Sequence, residues 1–492
     1  MRKTCTPYLT IALLFAGLFS CGGKQCGEPA LPEEKPNVLF IAIDDLNDYV
    51  NCMNGSITAF TPNIDRLASQ GTLFVNAHCQ APICGPSRAS IMTGLYPSST
   101  GNYLQLKDIH IKQANEKSRE CTFMADYFEN FGYATMAVGK IFHNGDGAGS
   151  FNQYGGGFSW FGPRPEKRIH YDPAQLPDKE GSTSTDWGAY PDHDSMMTDF
   201  KSAKWAISKL NQEYSQPFFL AVGFVRPHVP WYVPRKWMEM FPVESVVTPP
   251  YDPGDFEDIP AMAEIVSEVP MMPTTEELIE SGEWKDVIQA YLACIAFVDA
   301  QVGKVLDALE NSKYADNTII VLWSDHGYHL GEKNRFAKQA LWERDTRTVL
   351  IFKGLNPGEN RICHSPVQLV DIYPTLLDLC GLPAYDLAEG HSLSGLIRGA
   401  IKNWGHPALS FYGVGNVAVR DQQYRLIQYE DGSRELYDME NDPNEWHNLA
   451  YAAEYQSVID RLKRLIPDKW SPLSEYSSYN VNAYFRNKSN LD

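Results

Sequence analysis

A chain of 492 residues that is 43% hydrophobic and 21% charged has the composition of an ordinary globular protein, with room for one large domain and a smaller one. Its formal charge of -19 argues against nucleic acid as a partner and against broad attraction to an anionic membrane surface. An anionic ligand must then be held by a local cationic pocket working against the global field, which makes the Lys, Arg and His residues near any site informative.

The chain opens with Arg2 and Lys3, followed by an apolar run from Leu9 to Phe19 that is too short to span a bilayer. This is the pattern of an export signal. Leu18-Phe19-Ser20-Cys21 resembles a bacterial lipobox, so residues 1–21 are expected to be a signal with Cys21 as the acylated residue; ordinary signal cleavage is the alternative. The expected location is the periplasm, outer membrane or cell surface of a bacterium, with anchoring through the N-terminal lipid. Residues 22–35, rich in Gly, Pro and Glu, then read as a tether.

Past the tether, Asn37 to Ile43 is a continuous apolar, β-rich run, the pattern of a strand covered on both faces of a mostly parallel sheet. It ends in Asp44-Asp45. Two adjacent carboxylates there are either a solvated turn or hard oxygen ligands for a divalent cation. Tyr133 to Val138 reads as a second strand, running into Gly139-Lys140-Ile141-Phe142-His143. Phe218 to Val222 runs into Arg226-Pro227-His228, and Thr318 to Trp323 runs into Ser324-Asp325-His326. Ligands of open α/β sheets bind outside the carboxyl ends of the strands, so the four clusters are predicted to share one edge.

Helices are predicted over Asn63 to Gln70 behind Pro62, over Pro86 to Leu95, over Asp286 to Glu310 with an apolar stripe of helical period, and over Asp371 to Leu382. Alternating strands and helices give a doubly wound α/β domain. The stretches 144–200 and 231–283 lack either period and read as long loops, the first rich in Gly, Trp, Tyr and Pro. They serve either as a sugar-binding wall over the edge or as surface insertions. Beyond residue 402 the pattern turns to short strands, Val417 to Arg420, Tyr424 to Tyr429 and Glu435 to Asp438, with Asp431-Gly432 as a hairpin signal.

Cys84 stands just before the predicted helix, where the positive end of the helix dipole favours an anion, and Arg88 lies one turn on. No spacing among the other cysteines has the pattern of a zinc cluster, so most of them read as buried small hydrophobes.

The run Thr61-Pro62-Asn63-Ile64-Asp65-Arg66-Leu67-Ala68, Gly71 and Phe74, Cys84-Gly85-Pro86-Ser87-Arg88-Ala89-Ser90 and Thr93-Gly94-Leu95-Tyr96-Pro97 resembles the signature of the type I sulfatases. The likeness extends over nearly the whole mature chain, and Lys140 to His143, Arg226 to Pro230 and Ser324 to Glu332 are most similar to the iduronate-2-sulfatases. The resemblance implies an alkaline-phosphatase-like fold: a large mixed, mostly parallel sheet sandwiched by helices over residues 36–402, and a small C-terminal antiparallel sheet plus helix over 403–492.

It also implies a site. Cys84 would be oxidised by a formylglycine-generating maturation enzyme to formylglycine (3-oxoalanine), whose hydrate is the nucleophile. The metal ligands would be Asp44, Asp45, Asp325, His326 and residue 84, with calcium expected and magnesium the second choice. Arg88 would hold the hydrate oxygens, and Lys140 and Lys338 the sulfate oxygens, where negative charge is fixed or develops. His228 or Lys338 would protonate the leaving alcohol, and the proton that triggers sulfate release would go toward His143. Lys140, His228 and Lys338 thus form the expected substrate-binding set. The implied reaction is removal of sulfate from a glycan, foremost the 2-O-sulfate of a uronic acid in glycosaminoglycan fragments. The alternatives are another sulfated polysaccharide, phosphoester or phosphonate hydrolysis within the same superfamily, or a glycan-binding lipoprotein with a dead site.

Overall fold

A computed structural model describes residues 35–55, 57–145, 147, 149–157, 161–171, 185–355, 361–477 and 482–489. The expected signal, the Cys21 acylation site and the tether up to Glu34 lie outside these residues. Among the described residues no helix is long and apolar enough to cross a membrane.

The strands of the first part of the chain are β1 (Asn37–Ile43), β2 (Thr72–His78), β3 (Ala134–Val138), β4 (Gln153–Tyr154), β5 (Trp187–Ala189), β6 (Phe218–Phe224), β7 (Trp231–Val233), β8 (Thr318–Ser324), β9 (Arg347–Lys353), β10 (Arg361–Cys363) and β11 (Val367–Gln368). Nine of them build one mixed sheet in the order β10-β2-β9-β8-β1-β6-β3-β4, with β11 also on β2, while β5 and β7 pair separately. Every pairing in the large sheet is parallel except the two made by β9.

The strand at the centre shows why the layers form. All seven side chains of β1 are buried. Leu39, Ile41 and Ile43 enter one apolar cluster and Val38, Phe40 and Ala42 the other, as the two-residue period of a strand requires. The first cluster is covered by the helices Trp284–Glu310 and Thr198–Leu210, the second by Cys84–Thr93, Met124–Asn130 and Ile372–Leu379. Each large aliphatic or aromatic side chain so buried contributes about 1.5–3 kcal/mol before the compactness of the unfolded chain is discounted. The sandwich is therefore the sequence's own alternation made three-dimensional.

The four strands read from the sequence are present, and two that the reading leaves out, β2 and β9, pair with each other between β10 and β8. The helix expected from Pro86 begins at Cys84. The two stretches read as loops hold short elements: β4, β5 and the first turn of Thr198–Leu210 in one, β7 and the helices Ala261–Ser267 and Thr275–Ser281 in the other.

At the C-terminus β12 (Ala408–Phe411), β13 (Val417–Arg420), β14 (Tyr424–Gln428) and β15 (Arg434–Asp438) make an antiparallel sheet in sequence order, followed by the helix Gln456–Lys463. This sheet shares its apolar cluster with Ile83, Tyr103, Leu341 and Trp342 of the preceding chain. The described cysteines, Cys52, Cys79, Cys84, Cys121, Cys294, Cys363 and Cys380, are all free thiols.

Candidate active site

Topology brings the site together. Because β9 is antiparallel to both β8 and β2, β2 points the same way as β8 and β1, and its carboxyl end delivers the helix of Cys84 to the edge where Asp44 and Asp325 emerge. Cys84 is the first residue of that helix and is buried. Gly85 follows because its amide takes a 2.8 Å bond to Gln105 Oε1 and a Cβ there would stand 2.0 Å from the same oxygen. Farther along the turn, Ser87 Oγ donates to the Asp325 carbonyl at 2.5 Å and locks the helix to the end of β8.

Three buried carboxylates and three cations surround Cys84. Lys338 Nζ lies 3.0 Å from Cys84 Sγ and 2.5 Å from Asp45 Oδ1. Lys140 Nζ donates to Asp44 Oδ2 at 2.6 Å. Arg88 spreads its guanidinium over Asp325 Oδ2 (2.8 Å), Asp44 Oδ1 (3.1 Å) and the carbonyls of Lys140 and Ile141. These donors orient the two carboxylates. Asp45 sits at φ 58°, in the left-handed region that Asp tolerates better than most residues, and is pinned there from both sides. Its amide donates to Asp325 Oδ1 at 3.1 Å, and its carbonyl accepts from the Tyr291 hydroxyl at 2.7 Å.

Two histidines face the same point in the same way. His326 Nδ1 lies 2.8 Å from the Gly327 carbonyl and His228 Nδ1 2.6 Å from the Val229 carbonyl. A carbonyl only accepts, so each Nδ1 carries the proton and each Nε2 is turned inward. His326 Nε2 is 3.3 Å from Cys84 Sγ and 3.4 Å from Asp45 Oδ1. His228 Nε2 is 3.9 Å from Asp45 Oδ2. His143 hydrogen-bonds to Cys84 and meets the Gln105 amide nitrogen at 3.1 Å.

The donor set fits a divalent cation. Ligand atoms of Asp44, Asp45, Cys84 and His228 lie within 4.8 Å of one another, as do those of Cys84, Asp325 and His326. Asp45 Oδ2 is buried without a hydrogen-bond partner, a lone pair aimed into the cluster. Burial opposes charging of His326, yet Asp325 and Cys84 beside it push its pKa up to about 9. Burial likewise raises Asp45 despite His228 and Lys338, whereas Asp44, buried but held by Lys140, stays below the ordinary carboxylate value. For Cys84, burial opposes ionisation, and Lys140 and Lys338 nonetheless hold the thiol well below its usual range. Burial keeps His143 neutral. The arrangement gathers positive charge at one buried sulfur and offers hard oxygen ligands beside it.

All the residues singled out from the sequence, Asp44, Asp45, Cys84, Arg88, Lys140, His143, His228, Asp325, His326 and Lys338, converge on this edge. The sequence reading misses Gln105 and Tyr291, and also Asp108, whose carboxylate accepts from the His143 and Asn144 amides. Each is a lone polar residue far from any motif, and only the fold reveals its partner. Phe161, in the stretch read as a wall or an insertion, lies against the His228 ring with centroids 4.8 Å apart.

Comparison with known proteins agrees with this geometry. The family model described as Sulfatase matches residues 36–382, and the one described as N-sulphoglucosamine sulphohydrolase, C-terminal, matches 331–470. A sulfatase of Formosa agariphila is 48% identical over 481 residues, covering 96% of this chain and 94% of the relative. The iduronate 2-sulfatase of Mus musculus is 27% identical over 92% of this chain and 97% of its own length. Among solved structures, a 2-O glycosaminoglycan sulfatase, BT1596, aligns with a TM-score of 0.65 at 23% identity, over 91% of this chain and 98% of that one, and so shares the fold. The family uses a metal ion and formylglycine, for which the acidic cluster and Cys84 provide the groups. With the fold, the buried edge and the match over most of its length, this chain belongs to the sulfatase family and is a sulfuric ester hydrolase.

Proposed function

We propose that the enzyme removes the 2-O-sulfate of a uronic acid from glycosaminoglycan fragments, working with calcium and with Cys84 oxidised to formylglycine. The observation that carries the chemistry is the convergence of Lys338, His326 and Asp45 on Cys84 Sγ within 4 Å. The similarity to iduronate 2-sulfatase, together with the sequence match at Lys140 to His143 and Arg226 to Pro230, supports the substrate. Asp44, Asp45, Asp325 and His326 would hold the metal, with residue 84. When present, the metal supplies charge for the sulfate oxygens and the oxidised residue 84 supplies an oxygen nucleophile that can be regenerated by elimination.

The chain's own residues do the rest. Lys140 and Lys338, both kept charged by adjacent carboxylates, bind sulfate oxygens and stabilise the charge that builds on them. His228, with Nδ1–H fixed on the Val229 carbonyl, would act as an imidazolium that gives its second proton from Nε2 to the departing alkoxide; Lys338 Nζ is the second donor within reach of the cluster. His143, neutral through burial, accepts the proton given up at position 84. Burial of Cys84, Asp44 and Asp325 excludes water, which strengthens each of these interactions. The proposal includes export through the Leu9 to Phe19 run and acylation at Cys21, the reading that the N-terminal sequence supports.

The test is sulfate release from paired disaccharides, one bearing only a 2-O-sulfated uronate and one only a 6-O-sulfated hexosamine, with enzyme whose Cys84 peptide is confirmed by mass as formylglycine. Release from the first alone is expected. Release from the second alone, or from neither, rejects the uronate substrate, and faster turnover of a matched phosphate ester rejects the sulfate ester as the preferred bond.

A further inference from the structure

The wall beside His228 carries a cation that the sulfate chemistry does not use. The Arg164 guanidinium lies 5.0 Å over the Phe161 ring, which in turn lies on the His228 imidazole with 31° between the planes. His228 then reaches Asp45, so three successive contacts lead from Arg164 to the acidic cluster. The wall is fixed from behind by one buried side chain. Arg226 donates to the Phe161 carbonyl at 3.1 Å, the His228 carbonyl at 2.9 Å and the Tyr232 carbonyl at 3.0 Å, holding the wall and the histidine in one frame.

Arg164 differs from its neighbours in how its donors are used. Arg226 donates to three carbonyls, and Arg168 donates to the carbonyls of Tyr171 and Thr185. Arg164, exposed at the rim, has Phe161 as its partner and makes no hydrogen bond or ion pair with a carboxylate among the described residues. Partial burial and the nearby guanidiniums of Arg168 and Arg226 even lower its pKa, so it stands among cations in a protein whose net charge is -19. Cation–π pairs are common on protein surfaces; what distinguishes this one is the catalytic-edge histidine beneath it. A guanidinium with its fork open matches the paired oxygens of a carboxylate or a sulfate.

We infer that Arg164 is a specificity-determining residue that binds a second anionic group of the substrate, a carboxylate or a second sulfate, with Phe161 holding the guanidinium in place beside His228. This rests on the reading of the substrate as a sulfated glycan and names the residue that reads the sugar beyond the ester being cleaved.

The test compares wild type, Arg164→Ala and Arg164→Lys, each matured at Cys84. The substrates are 4-nitrophenyl sulfate, a 2-O-sulfated uronate disaccharide, its carboxyl-reduced counterpart, and glucosamine bearing N- and 6-O-sulfates. For Arg164→Ala we expect KM on the dianionic glycan to rise about ten-fold with kcat nearly unchanged, KM on 4-nitrophenyl sulfate to stay within about two-fold, and Arg164→Lys, which keeps the charge but not the fork, to recover only part of the loss. If the carboxylate is the ligand, wild type shows the same rise on the carboxyl-reduced sugar; if the second sulfate is, the split appears on the disulfated glucosamine. Activity on the latter without activity on the uronate rejects the substrate proposed above, yet leaves the Arg164 inference to be judged by the same KM ratio. Equal losses on aryl and glycan substrates, or no loss on any, overturn the inference. Turnover of 4-nitrophenyl sulfate with no dianionic glycan accepted overturns both.

Discussion

Two clusters of buried charge lie at opposite ends of the short segment from Lys333 to Lys338, and they resolve the same electrostatic problem differently. At the active edge, Arg88, Lys140 and Lys338 meet Asp44, Asp45 and Asp325, and their field falls on Cys84. Against the C-terminal sheet, Arg420 and Arg425 meet Glu343, Lys333 meets Asp255, and Glu435 accepts from Trp342 Nε1 and the Tyr429 hydroxyl. No nucleophile stands in the second cluster. Its cations are spent on its own carboxylates, and burial is answered there by protonation: desolvation pushes Glu445 up to about 8 even with Arg425 and Lys333 nearby. A buried ion cluster therefore signals chemistry only when it leaves an acceptor unpaired beside a reactive atom, as Asp45 Oδ2 does beside Cys84.

Substitutions should separate the two clusters. The largest effect is expected from Cys84→Ala: sulfate release falls by at least ~10⁴-fold while thermal unfolding stays close to that of wild type. A comparable fall in stability would erase the distinction drawn here. Chelation comes next, with activity down about 10³-fold and a lower Tm, because the three carboxylates lose the cation that offsets their repulsion; added calcium should restore both. Titrating calcium and magnesium into chelated enzyme while following Tm checks the choice of ion.

The sharpest contrast lies in a matched pair. Arg425→Met should cost about 3–5 kcal/mol of stability, since it strips buried Glu343 of its 2.6 Å ion pair and leaves only the longer one to Arg420 at 3.3 Å, but the folded fraction should keep its kcat. Lys338→Met should lower kcat by about 10²–10³-fold with a smaller change in stability. Urea melts and initial rates on the same preparations decide whether fold and chemistry divide in this way.

The smallest effect concerns pH. Glu445 has a folded pKa of about 8 against an ordinary 4.5, so its favourable contribution is full below pH 4.5 and is lost as pH rises through 8. Glu445→Gln should therefore match wild type near pH 4.5 and gain on it steadily as pH rises toward 9, a trend that paired Tm measurements across this range will detect. A variant less stable at pH 9 would mean that the carboxylate is charged in the folded protein and paired with Arg425.

The strands that carry the site were legible because each is a continuous apolar run that ends abruptly in charge, as from Ile43 to Asp44 and from Trp323 to Asp325. β2 was not, since Asn76 interrupts its run and its ladder with β9 shifts register between Phe74 and Ala77. Nor can periodicity reveal that β9 runs against its neighbours, because an alternating pattern has no direction. In the 231–283 stretch a signal was present: Thr274 and Glu277 form a capping box, the mark of the Thr275–Ser281 helix. For the site, residue types announced themselves at Asp44, Asp45, Cys84 and His326, while Gln105, Asp108 and Tyr291 became meaningful only when the sheet brought their partners to them.

Lys333 is moored to Asp255 and to the Glu445 carbonyl, while five residues on Lys338 works at Cys84. The two ends of this rod belong to different neighbourhoods, and the family model of the C-terminal part begins at residue 331, just before it. Anyone grafting the C-terminal sheet of a relative onto this enzyme must therefore cut upstream of Gly331, so that the rod moves with its Glu445 mooring, and must keep the carboxylate of Asp255 to receive it. A seam at the start of β12 would join a foreign foundation to a native working end, and the chimera would fold with its lysine out of register.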